Sequence, residues 1–371
     1  MREHRSWIRR VTGLGAAGLL VVGAAVVASI PAAASVTVSC PPQTGTDLQN
    51  AIDAAPNGTT IQVRGTCKGH FTIPSGMTLT LAGPSSAPAA LDGLGTGRVL
   101  TVSQSANVKL SYLTLQNGDL SGAGTGAGIY NDGGKVTLNH VALYNNAVGT
   151  GGHGGGLYNN NGTITGNHAT FTYNSTQSNG AGGAIFNYGG FFNLSDSDVS
   201  TNSVGANGAG AGIYSVGVTI NVSNTTMDKN STGTGGAGAG VFLDTGTLVM
   251  KNSSITNAAG TPANGAGIFN LGGTLTMSND NVSSNTATQN GGGIFSSGGT
   301  FTFSSSTLNG NTATAGDGGG IYESGATGKV TSATVTNNHA GTDGGGIYEN
   351  GGSVTVSGGT FSGNTPNDIA P

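Results

Sequence analysis

The chain has 371 residues, of which 70 are glycine, whereas only 8% are charged and 35% are hydrophobic. Glycine costs a helix interior about 1 kcal/mol relative to alanine, so this composition disfavours a mainly helical fold. The 12 basic residues, set against 16 acidic ones, do not give the positive surface that nucleic-acid binding requires. A β protein rich in glycine, asparagine, threonine and serine remains.

Residues 1–34 have the pattern of a secretory signal peptide. A basic segment with four arginines precedes an apolar run at residues 14–30, and three alanines at residues 32–34 provide a small-residue cleavage site. An uncleaved anchor is the alternative, because the apolar run is barely long enough to span a bilayer. Cleavage would leave 8 basic and 15 acidic side chains and no other membrane-spanning stretch. We therefore expect an exported protein, secreted or at the cell surface.

Residues 35–60 are predicted to form an N-terminal cap. Four apolar residues in this segment share one face of a short helix: Leu48, Ala51, Ile52 and Ala55. Thr46 is the expected N-cap of that helix. Because the first coil of a repeat fold has no neighbour on its outer side, such a helix would cover it.

The chain has two cysteines, Cys40 and Cys67. In an oxidising compartment such a pair is predicted to form a disulfide. The cross-link would contribute ~3–4 kcal/mol in the chain-entropy model. A metal site would need further ligands at matching spacing, and the sequence around the two cysteines offers none.

A repeat of 26–28 residues decides the architecture of residues 61–365. In nine coils a tripeptide of glycine and alanine precedes an aliphatic and then an aromatic residue; the aliphatic positions are Ile129, Leu157, Ile185, Ile213, Val241, Ile268, Ile294, Ile321 and Ile347. Apolar columns follow at plus 7, plus 9 and plus 14, and polar residues at plus 8 give the alternation of a half-buried strand. Only Gly166 and Gly328 leave an inward position empty. This pattern predicts an all-β, single-stranded parallel β-helix of about eleven coils, followed by a tail at residues 366–371.

Asparagine recurs three residues after the fourth apolar column in eight of the nine coils. The positions are Asn146, Asn174, Asn202, Asn230, Asn285, Asn311, Asn338 and Asn364, with Ala258 as the exception. Stacked coils would place these amides ~4.8 Å apart, where they can hydrogen-bond along the column. We expect a structural asparagine ladder rather than a catalytic set.

The motifs of this region point to a known group. Residues 48–56 and 61–63 resemble the opening of pectin-lyase-like right-handed parallel β-helices. Residues 182–185 read GGAI, and residues 171–174 and 361–364 read FTYN and FSGN, which is similar to the GGA[ILV] and FxxN repeats of the polymorphic outer-membrane protein family. The resemblance covers roughly residues 40–365 and implies a right-handed β-helix. Because members of that family are typically surface adhesins, it also implies a role in surface interaction.

An aromatic residue follows the inward aliphatic residue in every coil and is predicted to point outward. The nine positions are Tyr130, Tyr158, Phe186, Tyr214, Phe242, Phe269, Phe295, Tyr322 and Tyr348. An exposed stripe of this size would suit sugar or protein binding. The alternative is that a bend partly buries both columns, or that the aromatic rings stack for stability alone.

Polysaccharide lyases and hydrolases also belong to the pectin-lyase-like group, so we tested the sequence for catalytic residues. His153 lies in a Gly-His-Gly segment similar to one hydrolase motif, but Thr125 and Ala181 are its neighbours on adjacent coils, so no acid pair accompanies it. No catalytic residue is therefore assigned. In the last coils Glu323 stacks on Glu349. The spacing of these two carboxylates is not a catalytic signal, because any two residues in one column of a β-helix have it.

Asp317 and Asp343 stack in the same way and are weak candidates for a metal site. Calcium is the ion that such a pair would bind, since hard cations prefer clustered oxygens. A solvated acidic end of the solenoid explains the two aspartates equally well. No other cofactor is predicted.

Threonine pairs in three coils suggest a further surface. Thr163 and Thr165, Thr274 and Thr276, and Thr300 and Thr302 form T-x-T pairs on one strand face, which resemble the arrays of ice-binding solenoids. Phe191, Val249 and Lys329 interrupt the pattern, and threonine is in any case a good strand former.

The function predicted from these observations is that of an exported, non-enzymatic surface-interaction protein, adhesin-like or glycan-binding. Its expected partners are polysaccharides or cell-surface proteins, and not nucleic acid. The alternative is a polysaccharide lyase or glycoside hydrolase of pectin-lyase-like type, and an ice-binding solenoid is a minor alternative.

Overall fold

The computed structural model describes residues 35–40 and 46–371, so the predicted signal peptide lies outside the described residues. The described chain winds into a parallel β-solenoid of about 12 turns and contains one helix, Thr46–Ala54. The predicted fold class is confirmed. The turns outside the nine glycine-aliphatic-aromatic repeats lie at the two ends, where sheet I begins with Phe71–Ile73 and Leu100–Val102 and finishes with Ile369–Ala370.

Most coils contribute strands to three walls, and neighbouring coils pair in parallel. Sheet I has 12 strands: Phe71–Ile73, Leu100–Val102, Ile129–Asp132, Leu157–Asn160, Ile185–Tyr188, Ile213–Val216, Val241–Asp244, Ile268–Leu271, Ile294–Ser297, Ile321–Ser324, Ile347–Asn350 and Ile369–Ala370. Sheet II has 20 strands: Ser35–Cys40, Thr59–Lys68, Thr78–Ala82, Ala89–Asp92, Asn107–Gln116, Lys135–Tyr144, Thr163–Asn167, Thr170–Thr172, Phe191–Ser195, Asp198–Ser200, Thr219–Ser223, Thr226–Asp228, Thr247–Lys251, Ser254–Thr256, Thr274–Ser278, Asn281–Ser283, Thr300–Ser304, Thr307–Asn309, Thr327–Thr336 and Ser353–Ser362. The third wall is made of short strands: Asp119–Leu120, Ala147–Val148, Ser175–Thr176, Ser203–Val204, Ser231–Ala237, Ala259–Asn264, Thr286–Ala287, Thr312–Ala313 and His339–Ala340.

The solenoid includes residues that the sequence analysis assigns to the cap and the tail. Strand Ser35–Cys40 pairs with Thr59–Lys68, and Ile369–Ala370 extends sheet I by pairing with Ile347 and Tyr348. The disulfide is confirmed: Cys40 and Cys67 are bonded, with their Cα atoms 5.0 Å apart. It therefore ties the first strand to the next coil.

The helix packs on the open first coil through the predicted face. Leu48 and Ile52 are fully buried, and Ala51 and Ala55 pack against the same core. Burial of a leucine or isoleucine side chain contributes about 1.5–3 kcal/mol, so two such residues are enough to hold a nine-residue helix that would be marginal by itself.

The four apolar columns fill the interior as the repeat predicts. All their side chains are at most 2% exposed except Val354, Val356 and Phe361 of the last coil, which are partly buried. The two glycine positions are not empty. The ring of Phe301 occupies the space beside Gly328, and the Leu194 side chain occupies the space beside Gly166. Neighbouring coils thus compensate for the missing side chains.

The asparagine ladder is buried and is hydrogen-bonded from coil to coil, except at Ala258, where the chain of amide-to-amide bonds is interrupted between Asn230 and Asn285. Asn202 is typical: its Nδ2 donates to the Oδ1 of Asn230 at 3.0 Å and to the carbonyl of Phe171 at 2.9 Å. Its Oδ1 accepts from the backbone N–H and from the Nδ2 of Asn174, at 3.0 and 3.1 Å. Each amide therefore closes its own bend and links two coils.

A second buried polar column lies two residues after the inward aliphatic residue and was missed in the sequence. Asn131 donates to the carbonyl of Gly134 and to the Oδ1 of Asn159, at 2.9 and 2.7 Å. Asn159 repeats these contacts with Gly162 and Asn187. Alternation places this column inside the solenoid, where it satisfies the backbone at the turn that leads from sheet I to sheet II.

Two further turns have positive backbone φ angles in nearly every coil, which allows exposed side chains to stack. The first-bend column divides the strand segments of sheet II: Tyr112, His140, His168, Asp196, Asn224, Asn252, Asn279, Ser305 and Ser332. The second-bend column leads from sheet II to the third wall: Asn117, Asn145, Tyr173, Thr201, Lys229, Asn257, Ser284 and Asn337.

Candidate functional site

The nine predicted aromatic residues form one continuous stack, which we call the aromatic ladder. Neighbouring ring centroids are 4.7–5.6 Å apart with interplanar angles of 2–24°. The rings point away from the aliphatic core, but each internal ring has both faces covered by its neighbours. Phe186, Phe242 and Tyr322 are 7%, 9% and 8% exposed, and the other six are partly exposed. The ladder therefore presents ring edges, whereas sugar stacking uses ring faces.

Charged side chains contact the first ring of the ladder and one ring in its interior. The guanidinium of Arg98 lies 4.7 Å above the ring of Tyr130 and donates to the carbonyls of Gly126 and Thr125 at 3.0 and 2.8 Å. Further along, burial and the neighbouring carboxylate of Asp244 raise the pKa of Tyr214 to about 12. These contacts are typical of a structural element. Each pair of stacked rings in the ladder contributes about 0.5–1.5 kcal/mol to stability.

His153 lies beside the ladder, in register with Thr125 and Ala181 as the sequence predicts. Its ring stacks on Phe186 with the centroids 4.7 Å apart. Burial lowers the pKa of His153, and its buried Nδ1 has no hydrogen-bond partner among the described residues. His153 is therefore a neutral imidazole that packs on a phenyl ring, and this packing explains its position.

The carboxylates of the last coils separate into two environments. Glu323 is fully buried, and its oxygens accept from the backbone N–H groups of Ala326, Asn350 and Gly352, so it continues the second polar column and does not face a substrate. Glu349 follows it in register and accepts from the N–H of Val354 at 3.2 Å. The pair thus stabilises two turns.

The predicted metal candidates Asp317 and Asp343 lie next to the C-terminal end of the ladder. Burial, together with the negative charge of Asp343, raises the pKa of Asp317, although a backbone hydrogen bond opposes this effect. Asp343 accepts from the N–H of Gly344 at 2.9 Å and from the amide of Asn367. Across residues 35–40 and 46–371, no group of three or more histidine, cysteine or acidic side chains could hold a metal ion.

Two of the three threonine pairs contribute to a longer outward row on sheet II. Thr219, Thr247, Thr274, Thr300 and Thr327 occupy consecutive coils in register. The parallel row two residues on contains Val249 and Lys329, and Phe191 ends the first row. A second regular row of hydroxyl groups is therefore absent from this face.

A polar recess lies at the second bend of three consecutive coils. It has a volume of about 380 Å³ and is lined by Asp92, Leu94, Gly95, Asn117, Gly118, Asp119, Asn145 and Ala147. Leu94 is exposed and has a positive φ angle, so an apolar side chain stands at one edge of an otherwise polar wall. We refer to this feature as the recess.

A directed chain of hydrogen bonds organises the recess. The Nδ2 of Asn145 donates to the Oδ1 of Asn117 at 2.8 Å, and the Nδ2 of Asn117 donates to the Oδ2 of Asp92 at 3.0 Å. Asp92 also accepts from Gln116 and from the N–H of Leu94, each at 2.8 Å. Burial alone would raise the pKa of Asp92, but these donors and nearby Lys68 lower it below its usual value. Asp92 is thus a charged anchor that orients the exposed amides.

Two exposed tyrosines continue the recess, Tyr144 on its third coil and Tyr173 on the next coil. Tyr144 is in register with Gln116, and Tyr173 follows Asn145 in the second-bend column. Their side chains are 43% and 58% exposed, and the rings meet edge to face with the centroids 5.6 Å apart. The sequence does carry a signal for this site. The two residues before each ladder asparagine are polar or glycine in the other coils, but tyrosine interrupts them at these two positions.

The described part of the chain contains no helix that is long and apolar enough to cross a bilayer. No family model and no curated protein matches the sequence. The solved structure of the PL6 family alginate lyase AlyGC matches over 88% of this chain and 71% of that chain, with 11% sequence identity and a TM-score of 0.20. A likeness at this level carries no argument about activity.

Proposed function

We propose that this protein is an exported, non-catalytic glycan-binding solenoid, adhesin-like in role, and that the recess with Tyr144 and Tyr173 is its binding site. The observation that carries the proposal is the juxtaposition of two exposed tyrosine rings with an ordered row of amide and carboxylate groups. Sugars present apolar C–H faces, which pack on aromatic rings, and hydroxyl groups, which pair with amides and carboxylates.

The geometry of the solenoid suits a linear polymer. Successive coils repeat at the inter-strand spacing of ~4.8 Å, so the rows of Asp92, Gln116 and Tyr144 and of Asn117, Asn145 and Tyr173 run parallel to the solenoid axis. Because the supporting amides are already hydrogen-bonded to each other, little side-chain entropy is lost on binding. Asp92 and Asp119 make the recess acidic, which favours neutral or amine-bearing sugars over uronates.

A binding experiment with variants of the recess tests the proposal. Purified protein is measured by calorimetry and by affinity electrophoresis against neutral, amine-bearing and acidic polysaccharides. We expect Tyr173→Ala to weaken binding of the preferred polymer at least tenfold, about 1.4 kcal/mol, and Asn145→Ala to weaken it by a smaller factor. The matched control is Asn337→Ala, which removes an exposed amide from the same column near the far end of the solenoid and should leave binding unchanged.

Three results would overturn this assignment. Release of unsaturated or reducing ends from any polymer, with or without calcium, would favour the lyase or hydrolase alternative. Thermal hysteresis in ice growth without polysaccharide retention would favour the threonine row of sheet II. Retention that Tyr173→Ala and Asn145→Ala do not affect would move the binding site away from the recess.

A further inference from the structure

The carboxylate of Asp119 lies where the recess meets a second cavity. This cavity has a volume of about 320 Å³ and is lined by Thr96, Asp119 and the loop of residues 120–124. Because Asp119 also lines the recess, the two cavities adjoin at this residue. A ligand that lies in the recess therefore comes within reach of its carboxylate.

The backbone holds Asp119 in place and leaves its side chain exposed. The N–H of Asp119 donates to the carbonyl of Gly97 at 3.0 Å, and Asp119 pairs in register with Ala147 on the next coil. The methyl group of Ala147 is too short to cover the carboxylate, and Asp119 is exposed. The donors around the recess bind Asp92 instead, and no described residue donates a hydrogen bond to the side chain of Asp119.

The two carboxylates of the recess differ in how their charge is compensated. Asp92 accepts hydrogen bonds from two side-chain amides and one backbone N–H, and Lys68 stands in register with it on the preceding coil. Among the described residues, no lysine, arginine or histidine lines the recess or the second cavity. Asp119 therefore leaves a negative charge without a partner where the ligand would lie.

Asn145 adds a second acceptor to this wall. Its Nδ2 donates to the Oδ1 of Asn117 at 2.8 Å, which leaves the Oδ1 of Asn145 turned away from that bond. Asn145 lies two residues before Ala147, the register partner of Asp119, and all three residues line the recess. The acceptors of the recess thus include a carboxylate and an amide oxygen, which suit a ligand rich in donors.

We propose that Asp119 binds a protonated amine of the glycan, so that the recess selects polymers of free amino sugars over their N-acetylated and neutral counterparts. This selectivity rests on the proposed function of the recess, whose substrate class it narrows. An ammonium group carries a positive charge and three donors, and its hydrogen bonds to a carboxylate are stronger than those of a neutral group. N-acetylation removes the charge and all but one of the donors, so Asp119 distinguishes two forms of the same sugar.

The test compares linear oligomers of glucosamine and of N-acetylglucosamine, with the same length and linkage, by calorimetry with the full chain. At low ionic strength, and at a pH that protonates the sugar amine, we expect wild type to bind the glucosamine oligomer about threefold more tightly, the scale of a solvent-exposed ion pair. Asp119→Asn should bind both oligomers alike, with its affinity for the N-acetylated oligomer unchanged. Because the preference is electrostatic, it should shrink in about 1 M salt, where the screening length falls to about 3 Å.

The matched control is Asp132→Asn, which removes the same charge from sheet I and introduces the residue type that stands in register on the next coil, at Asn160. It should keep the preference of wild type. A preference that survives in Asp119→Asn, or that Asp132→Asn abolishes equally, would contradict the role of Asp119. Equal wild-type affinities for the two oligomers would contradict it too, whereas the proposed function would stand if Tyr173→Ala weakens both. Absence of binding to both oligomers would overturn the amine selectivity and, if no other polymer is retained, the proposed function as well.

Discussion

The aromatic ladder and the recess both present tyrosine on the outside of the solenoid, but they use it in opposite ways. In the ladder, an aromatic residue at the same position of nine consecutive coils covers the faces of its neighbours. In the recess, Tyr144 and Tyr173 stand where other coils have small or polar residues, and their neighbours leave them exposed. A side chain that recurs from coil to coil is covered by its stacked neighbours, whereas one that departs from the repeat remains exposed to a ligand.

The same contrast holds for asparagine. Asn202 lies in the buried ladder and makes hydrogen bonds to two neighbouring coils, whereas Asn145 is exposed at the second bend. The following predictions test whether the position within the repeat, and not the residue type, sets the role of a side chain.

The largest effect is expected from Asn202→Ala. This change leaves the carbonyl of Phe171 and the backbone N–H of Asn174 without their buried side-chain partner, and the Oδ1 of Asn230 keeps only the backbone N–H of residue 202. At about 1–3 kcal/mol for each unsatisfied group, we expect a loss of about 3–5 kcal/mol in the free energy of unfolding. Urea denaturation measures it, with Asn145→Ala as the exposed counterpart, for which the loss should be below about 0.5 kcal/mol. Equal losses in the two variants would contradict the comparison.

Asp280 is a departure from the repeat inside the solenoid, and it should make stability depend on pH. It stands in a buried column between Ser253 and Ser306, and burial raises its pKa from 3.8 to about 6 although two backbone N–H groups donate to it. Because the folded state holds the proton more tightly than the unfolded state, the contribution of Asp280 is most favourable below about pH 4 and declines as the pH rises to about 6.

The measurement is the difference in unfolding free energy between wild type and Asp280→Ser, taken from about pH 4 to about pH 7. Serine is the residue at the neighbouring positions of this column, so it preserves the hydrogen bond to Ser253. We expect wild type to lose about 3 kcal/mol relative to the variant across this range. A difference that stays constant with pH, or that grows in favour of wild type, would be inconsistent with a raised pKa.

A smaller effect is expected at the two glycines of the inward columns. A methyl group at Gly328 would overlap the ring of Phe301, whereas at Gly166 it would meet only the end of the Leu194 side chain, at 2.7 Å. We expect Gly328→Ala to cost about 1–3 kcal/mol by overpacking, and Gly166→Ala to cost less because leucine can change rotamer. Thermal unfolding of both variants gives the order, and a larger cost at Gly166 would show that the coils do not compensate as described.

The sequence predicted the fold well because the repeat is dense. One aliphatic residue and three apolar columns per coil specify which side chains point inward, and the interval of 26–28 residues specifies which coils pair. The disulfide followed from the cysteine count. The second polar column was not predicted, although strand alternation places Asn131 inside. A buried amide is unfavourable unless it has a partner, and the sequence does not show that the turn carbonyl of Gly134 needs a donor.

The candidate sites were harder to predict, for a related reason. Attention to recurring residues led to the aromatic ladder, whose faces the structure shows to be covered. The recess depends on Asp92, Asn117 and Tyr173, which come from different coils and share no motif.

The account is tested most directly by measuring stability and polysaccharide affinity together in Tyr214→Ser and Tyr144→Ser. For Tyr214→Ser, which removes two ring stacks, we expect the free energy of unfolding to fall by about 2 kcal/mol with unchanged affinity. For Tyr144→Ser we expect unchanged stability and at least a tenfold loss of affinity. If Tyr214→Ser weakens binding while the protein stays folded, and Tyr144→Ser does not, the ladder is the binding surface and the account is wrong.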